Sequence, residues 1–146
     1  MRNIHQIVKE INDATHFINN QIYQRYNELL DENITSAQDL LLTIIDTNKN
    51  LTVREIAEKL EITPSAASQQ VSKLEEMNYV KRQINEKNRR EILVSLAEKG
   101  TEYMKKQEKI DLIITEKLYA KLGEEKLTAF RDILFDLKQI TIDELK

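Results

Sequence analysis

Between Leu51 and Gly100 the chain sets two helix-start signatures eleven residues apart and then breaks into short alternating segments. Thr52 with Glu55 three residues on reads as a capping box, and Thr63-Pro64 puts an N-cap hydroxyl and an N1 proline where a helix favours them. Only Glu61-Ile62 is left for the turn between them, so two short helices must meet sharply. Ile56, Ala57 and Leu60 make the inward face of the first, and Ala67, Val71 and Leu74, at i, i+4 and i+7, that of the second. The second helix ends near Asn78, a residue that accepts the left-handed conformation of a helix C-terminus. Tyr79–Ile84 and Glu91–Leu96 then read as strands, with Asn85–Arg90 as the tip of a hairpin.

Helical periodicity surrounds this unit. Ile4, Ile7, Val8, Ile11, Ile18, Ile22 and Leu29 form one stripe, widened by Phe17, Tyr23 and Tyr26, on a helix expected to end at Asp31-Glu32-Asn33. A stripe this long exceeds what a small hairpin-bearing domain can cover, so the helix needs a partner. Thr35 with Gln38 is a second capping box, opening a helix through about Asp46, with Thr47–Asn50 as a polar turn. From Glu98, Tyr103, Ile110, Ile113, Ile114, Leu118 and Leu122 form a stripe stopped by Gly123. Leu127, Phe130, Leu134, Leu137 and Ile140 form another at alternating spacings of three and four, the signature of a helix–helix seam. The expected fold is mainly α with a small β-wing, in three parts. Residues 1–34 are an N-terminal helix, 35–97 a winged helix-turn-helix and 98–146 a pair of C-terminal helices. Leu127, Phe130, Leu134 and Leu137, together with Ile4, Ile7 and Ile11, are the expected dimerisation set.

Bulk properties narrow the functions. The chain has 146 residues, 40% of them hydrophobic, enough for one folded core and against wholesale disorder. It contains no cysteine, which removes disulfides and thiolate chemistry and fits a reducing cytoplasm. No apolar run reaches membrane-spanning length and the N-terminus lacks a signal-type apolar region, so a soluble cytoplasmic protein is expected. His5 and His16 lie three helical turns apart, too far for one zinc site. No nucleophile–base pair, phosphate loop or paired carboxylates stand out, and neither an enzyme nor a cofactor is expected. Net charge is −3, yet residues 79–90 carry five basic side chains against one acidic. Positive charge is therefore local to the hairpin.

The outward face of the second short helix carries Ser65, Ser68, Gln69, Ser72 and Lys73, with Gln70 at the flank. Small hydroxyls let a helix sit deep in a major groove and reach phosphates, Gln can read adenine, and Lys can reach guanine or phosphate. Gln69 is the expected base reader; Ser65, Ser68 and Lys73 are expected phosphate or base contacts. Lys87, Arg89 and Arg90 at the hairpin tip suit a narrow minor groove. Lys81 and Arg82, on the strand, read as phosphate clamps or as surface charges. Double-stranded DNA is the expected partner. An alternative is a winged-helix protein-interaction module or anti-repressor that does not grip DNA.

These residues resemble the MarR (multiple-antibiotic-resistance regulator) family of bacterial transcription factors. The likeness rests on Thr35-x-x-Gln38, Leu60…Thr63-Pro64, Val71-x-x-Leu74-Glu75 and Val80-x-Arg82. The family's Asp-x-Arg, followed by Leu-x-Leu-Thr-x-x-Gly, is matched by Asn88-Arg89-Arg90 and Val94-Ser95-Leu96-Ala97-Glu98-Lys99-Gly100. The resemblance implies a homodimer with interleaved terminal helices, a wing on each side, a pseudo-palindromic operator and repression relieved by a small ligand. It also implies that Arg90 enters the minor groove. Three positions depart from the pattern. Asn88 stands where an acidic residue usually holds the wing arginine, leaving Arg90 set by hydrogen bonds or looser. Asn78 stands where Gly is common, and Ala97 where a Thr usually caps the next helix. His16, Phe17, Tyr23 and Tyr26 read either as an effector pocket or as dimer core.

Overall fold

The computed structural model describes residues 2–27, 29 and 33–145. The chain divides into two compact units, Met1–Ile34 and Thr35–Lys146. The first consists of helix α1 (Arg2–Tyr26) and the turn after it. Here the helix is shorter than its apolar stripe suggests. It stops before Asn27, a weak helix former, and Leu29 lies in a turn, its N–H bonded to the Tyr26 carbonyl. The expected terminus at Asp31-Glu32 falls outside the described residues.

The second unit runs α2 (Ser36–Asn48), β1 (Leu51–Thr52), α3 (Val53–Leu60), α4 (Pro64–Glu76), β2 (Val80–Ile84), β3 (Ile92–Leu96), α5 (Glu98–Lys117) and α6 (Glu124–Glu144). Both capping boxes form. Thr35 Oγ1 accepts from the Gln38 N–H at 3.2 Å and Thr52 Oγ1 from the Glu55 N–H at 3.1 Å, each returned by the partner's side chain. Thr63 caps α4 through the Ala66 N–H at 3.1 Å. α2 continues through Thr47 and Asn48, which the sequence reading placed in the turn. The chain reverses instead at Lys49 and Asn50, both with positive φ.

α3 and α4 end alike. Glu61 takes φ 56°, and the N–H groups of Glu61 and Ile62 reach back to the carbonyls of Glu58 and Ala57. Asn78 takes φ 67°, and Asn78 and Tyr79 reach back to Glu75 and Leu74. Each is a Schellman closure, here built on a non-glycine residue. After Asn78 the buried Tyr79 drops directly onto Leu74 and starts the ribbon.

The sheet has the order β1-β3-β2, all antiparallel. β1, which the sequence gives no sign of, pairs Leu51 with Val94 and Thr52 with Leu93. It ties the start of the helix-turn-helix to the base of the ribbon. The core is Leu41, Leu42 and Ile45 of α2, Ile56 and Ala57 of α3, Ala67, Val71 and Leu74 of α4, and Val80 and Val94 of the ribbon. Tyr103 and Ile110 of α5 close it, the Tyr103 ring set edge-on to Tyr79 at 6.1 Å.

α5 begins without a side-chain cap, because Ala97 has no hydroxyl to offer. The Ala97 N–H bonds the Tyr79 carbonyl at 2.9 Å, and Gly100 lies so close beneath that carbonyl that a Cβ would come within 2.1 Å of it. Glycine is required at this position for space rather than for backbone conformation. The stripe expected to run through Leu122 is interrupted. α5 stops at Lys117, and Tyr119–Leu122 is a 3₁₀ turn with Leu118 and Leu122 half exposed.

Candidate nucleic-acid interface

The polar surface of α4 divides into two rows. Ser65, Gln69 and Lys73, at i, i+4 and i+8, are exposed. Ser68, Ser72 and Glu75, one row over, are half-buried and turned toward the ribbon. Arg82 of β2 lies against this second row. Its Nη1 donates to Glu75 Oε1 at 2.9 Å and to Ser72 Oγ at 3.3 Å. Its Nη2 donates to the Ser68 carbonyl at 3.3 Å, Ser68 Oγ at 3.4 Å and Ser72 Oγ at 3.3 Å.

This changes two expectations. Arg82 is neither a free surface charge nor a cation held out for phosphate, since its guanidinium is spent inside the protein, with the side chain 24% exposed. Ser68 and Ser72 keep a place beside the exposed row, but their oxygens already accept from Arg82. A planar five-donor fork meeting a carboxylate, two hydroxyls and a carbonyl fixes the angle between recognition helix and wing. Gln70 sits half-buried at the flank.

At the wing tip, two side chains organise the backbone. Asn85 Oδ1 accepts the Lys87 N–H at 3.0 Å, and Asn88 Oδ1 accepts the Arg90 N–H at 3.2 Å. The chain is closed by the Asn85 N–H on the Glu91 carbonyl at 3.0 Å. Asn88 therefore holds Arg90 through the main chain, as an Asx turn does. Lys87, Arg89 and Arg90 are exposed, and among the described residues neither arginine's guanidinium forms an ion pair or hydrogen bond. The structure thus presents one exposed polar row on α4 and one cationic tip, with Arg82 setting the angle between them. That shape matches a helix in a major groove with a ribbon at the neighbouring minor groove.

The remaining expected residues lie elsewhere. On α1, Ile4, Ile7, Ile11, Phe17 and Tyr23 are exposed at 45–66%, His16 is exposed and Tyr26 half-buried. On α6, Phe130, Leu134 and Leu137 are 45–56% exposed and Leu127 is half-buried. Leu134 and Leu137 also line an open groove of about 870 Å³ with Leu40 and Ile44 of α2 and Leu60 of α3. Between α2 and α5, the Tyr103 hydroxyl donates to Asp39 at 2.6 Å. Burial, and secondarily Asp39, raises the Asp111 carboxyl above its ordinary pKa. Among the described residues no cluster of His, Asp or Glu is placed to hold a metal ion, and no helix is long and apolar enough to cross a membrane.

The model of the MarR family matches residues 34–92, the stretch that holds both helix-turn-helix helices, the whole wing tip and the start of β3. The transcriptional repressor MdtR of Bacillus subtilis is 31% identical over 101 residues, 68% of this chain. The chain belongs to the MarR family.

The aligned stretch spans 65% of the length of MdtR. A second B. subtilis relative, the organic hydroperoxide resistance transcriptional regulator, is 27% identical over 118 residues, covering 80% of this chain and 79% of the relative. Among solved structures, FabT of Streptococcus pneumoniae, determined in complex with DNA, superposes with a TM-score of 0.71 at 21% identity, covering 95% of this chain and 99% of FabT. YusO of B. subtilis matches with a TM-score of 0.57 at 28% identity, covering 92% and 96%. At such identities the FabT likeness establishes the MarR fold. Both named relatives of this MarR chain are transcriptional regulators.

Proposed function

We propose that this chain is a sequence-specific DNA-binding repressor that acts as a homodimer on a pseudo-palindromic operator. The observation that carries this reading is the exposed Ser65–Gln69–Lys73 row, held by the Arg82 cluster at a set angle to the Lys87, Arg89 and Arg90 tip. Gln69 reads a base edge, Ser65 and Lys73 hold phosphate or base, and Arg90 enters the minor groove. Ser68 and Ser72 contribute by anchoring the wing and can still donate their hydroxyl hydrogens outward to phosphate. Repression is supported by MdtR, a relative named as a repressor.

Homodimerisation is supported by the apolar side chains left exposed on α1 and α6, which a chain of this size gains by covering. Two copies related by a two-fold axis would set their recognition helices about one helical turn, or a multiple of it, apart on the duplex. A small-molecule effector, with His16, Phe17, Tyr23 and Tyr26 of α1 in its pocket, is part of the same reading, as is a cytoplasmic location.

The test is a mobility shift with DNA from upstream of the protein's own gene. Wild type is expected to retard it as a single sharp complex. Gln69→Ala with Arg90→Ala is expected to weaken binding by about 100-fold, in line with a base contact worth about 1–3 kcal/mol plus a groove cation. Binding indifferent to that double substitution would sink the assignment.

A further inference from the structure

The wing carries two large apolar side chains that no described element covers. Ile84 is 66% exposed and Ile92 48%, and they are direct cross-strand partners. Alternation along the ribbon puts them on the face shared by Val80, Arg82, Val94 and Leu96. Val80 and Val94 on that face enter the core, and Arg82 reaches α4. The Ile84–Ile92 step is the next one outward, beyond the Arg82 anchor and before the cationic tip. It therefore lies on the side of the ribbon turned toward α4, between the two sets of residues that bind DNA in the reading above.

A nucleic-acid strand crossing from the groove held by α4 to the groove held by the tip presents two kinds of surface. Its phosphates meet cations; its sugars offer C–H edges. Apolar side chains contact those edges without losing hydrogen bonds; isoleucine is already used against duplex DNA as a wedge between base steps, and here it would lie on the sugars instead. Charge complementarity on both sides, from Lys73 on α4 and from Lys87, Arg89 and Arg90 at the tip, favours DNA as the occupant. We propose that Ile84 and Ile92 form an apolar saddle for the deoxyribose edge of the strand that separates the two grooves. The proposal rests on the DNA-binding reading and adds to it a sequence-independent contact that carries no charge.

The experiment uses full-length protein and two probes: a duplex enriched by wild type from random-sequence DNA, and unselected duplex of the same length. Ile84→Thr with Ile92→Thr keeps β-branched side chains on the ribbon, so the wing stays paired. Its unfolding midpoint is expected to match wild type. It is expected to bind both probes about tenfold more weakly, through lost apolar burial. The slope of log affinity against log salt should not change, because no phosphate contact is removed. Ile84→Val with Ile92→Val, which keeps the apolar surface, should bind within about twofold of wild type.

Undiminished binding by the threonine pair overturns the saddle while leaving the DNA-binding reading intact. So does a changed salt slope, or a loss confined to the selected duplex, which would mean a contact to particular base steps. If wild type enriches no sequence and retards no duplex, both readings fall together.

Discussion

The winged unit and helix α6 belong to one compact body, yet they treat apolar residues in opposite ways. In the former, Leu41, Leu42, Ile56, Val71, Leu74 and Val94 are sealed from water within a single chain. In the latter, Phe130, Ile133, Leu134, Phe135, Leu137 and Ile140 are all at least 45% exposed. The two regions are similarly apolar; they differ in which surfaces are available to bury them. Three helices and a ribbon meeting at angles enclose a core. A single 21-residue helix cannot. The contrast separates what this chain folds by itself from what its apolar helices leave for something else.

The strongest way to break the contrast is at its tightest point. Gly100→Ala would drive a methyl group into the Tyr79 carbonyl, and is expected to lower stability by about 3 kcal/mol or more in urea unfolding. A mutant of wild-type stability would show that α5 is not seated where the structure has it.

A paired truncation sharpens the comparison. Leu74→Ala, at a fully buried position, is expected to cost about 3 kcal/mol at any protein concentration. Phe130→Ala is expected to leave the dilute protein within about 0.5 kcal/mol of wild type. Its cost should appear only as concentration rises, as a seam between two copies requires. Equal, concentration-independent losses from both would erase the distinction.

Arg82→Met keeps the length of the side chain and removes its donors. It is expected to cost about 1–2 kcal/mol in thermal unfolding, with the wing amides exchanging faster against an unchanged α2–α3 core. Uniform exchange across the domain would show that the cluster does not orient the wing.

The smallest effect has the opposite sign. Glu61 ends α3 at φ 56°, so Glu61→Gly is expected to raise stability by about 1 kcal/mol, read as a higher melting temperature.

Most of the fold was legible because its signals are local. The two capping boxes, the Thr63-Pro64 start and the Asn78 end each sit within a few residues of the bond they form. What escaped was set by distant partners. β1 has only two residues, too few for a period, and exists because β3 runs beside it. Arg82 reads from the sequence as a phosphate clamp or a surface charge because nothing near it in the chain shows Ser68, Ser72 and Glu75 arriving from α4. The α5 stripe reads on to Leu122 because Leu118 and Leu122 keep a helical spacing even where the backbone has left the helix. The wing isoleucines, Ile84 and Ile92, read in sequence as ordinary strand residues. Alternation alone does not say which face the core covers, or how far along the ribbon it extends.

Tyr79 joins two helices that would otherwise have no common residue. Its N–H closes α4 on Leu74, its carbonyl receives Ala97 at the root of α5, and its ring abuts Tyr103, six residues further on. α5, at 20 residues, extends about 30 Å from that pivot. Because one residue both closes α4 and seats α5, any displacement at the root of α5 is felt in the last turn of α4.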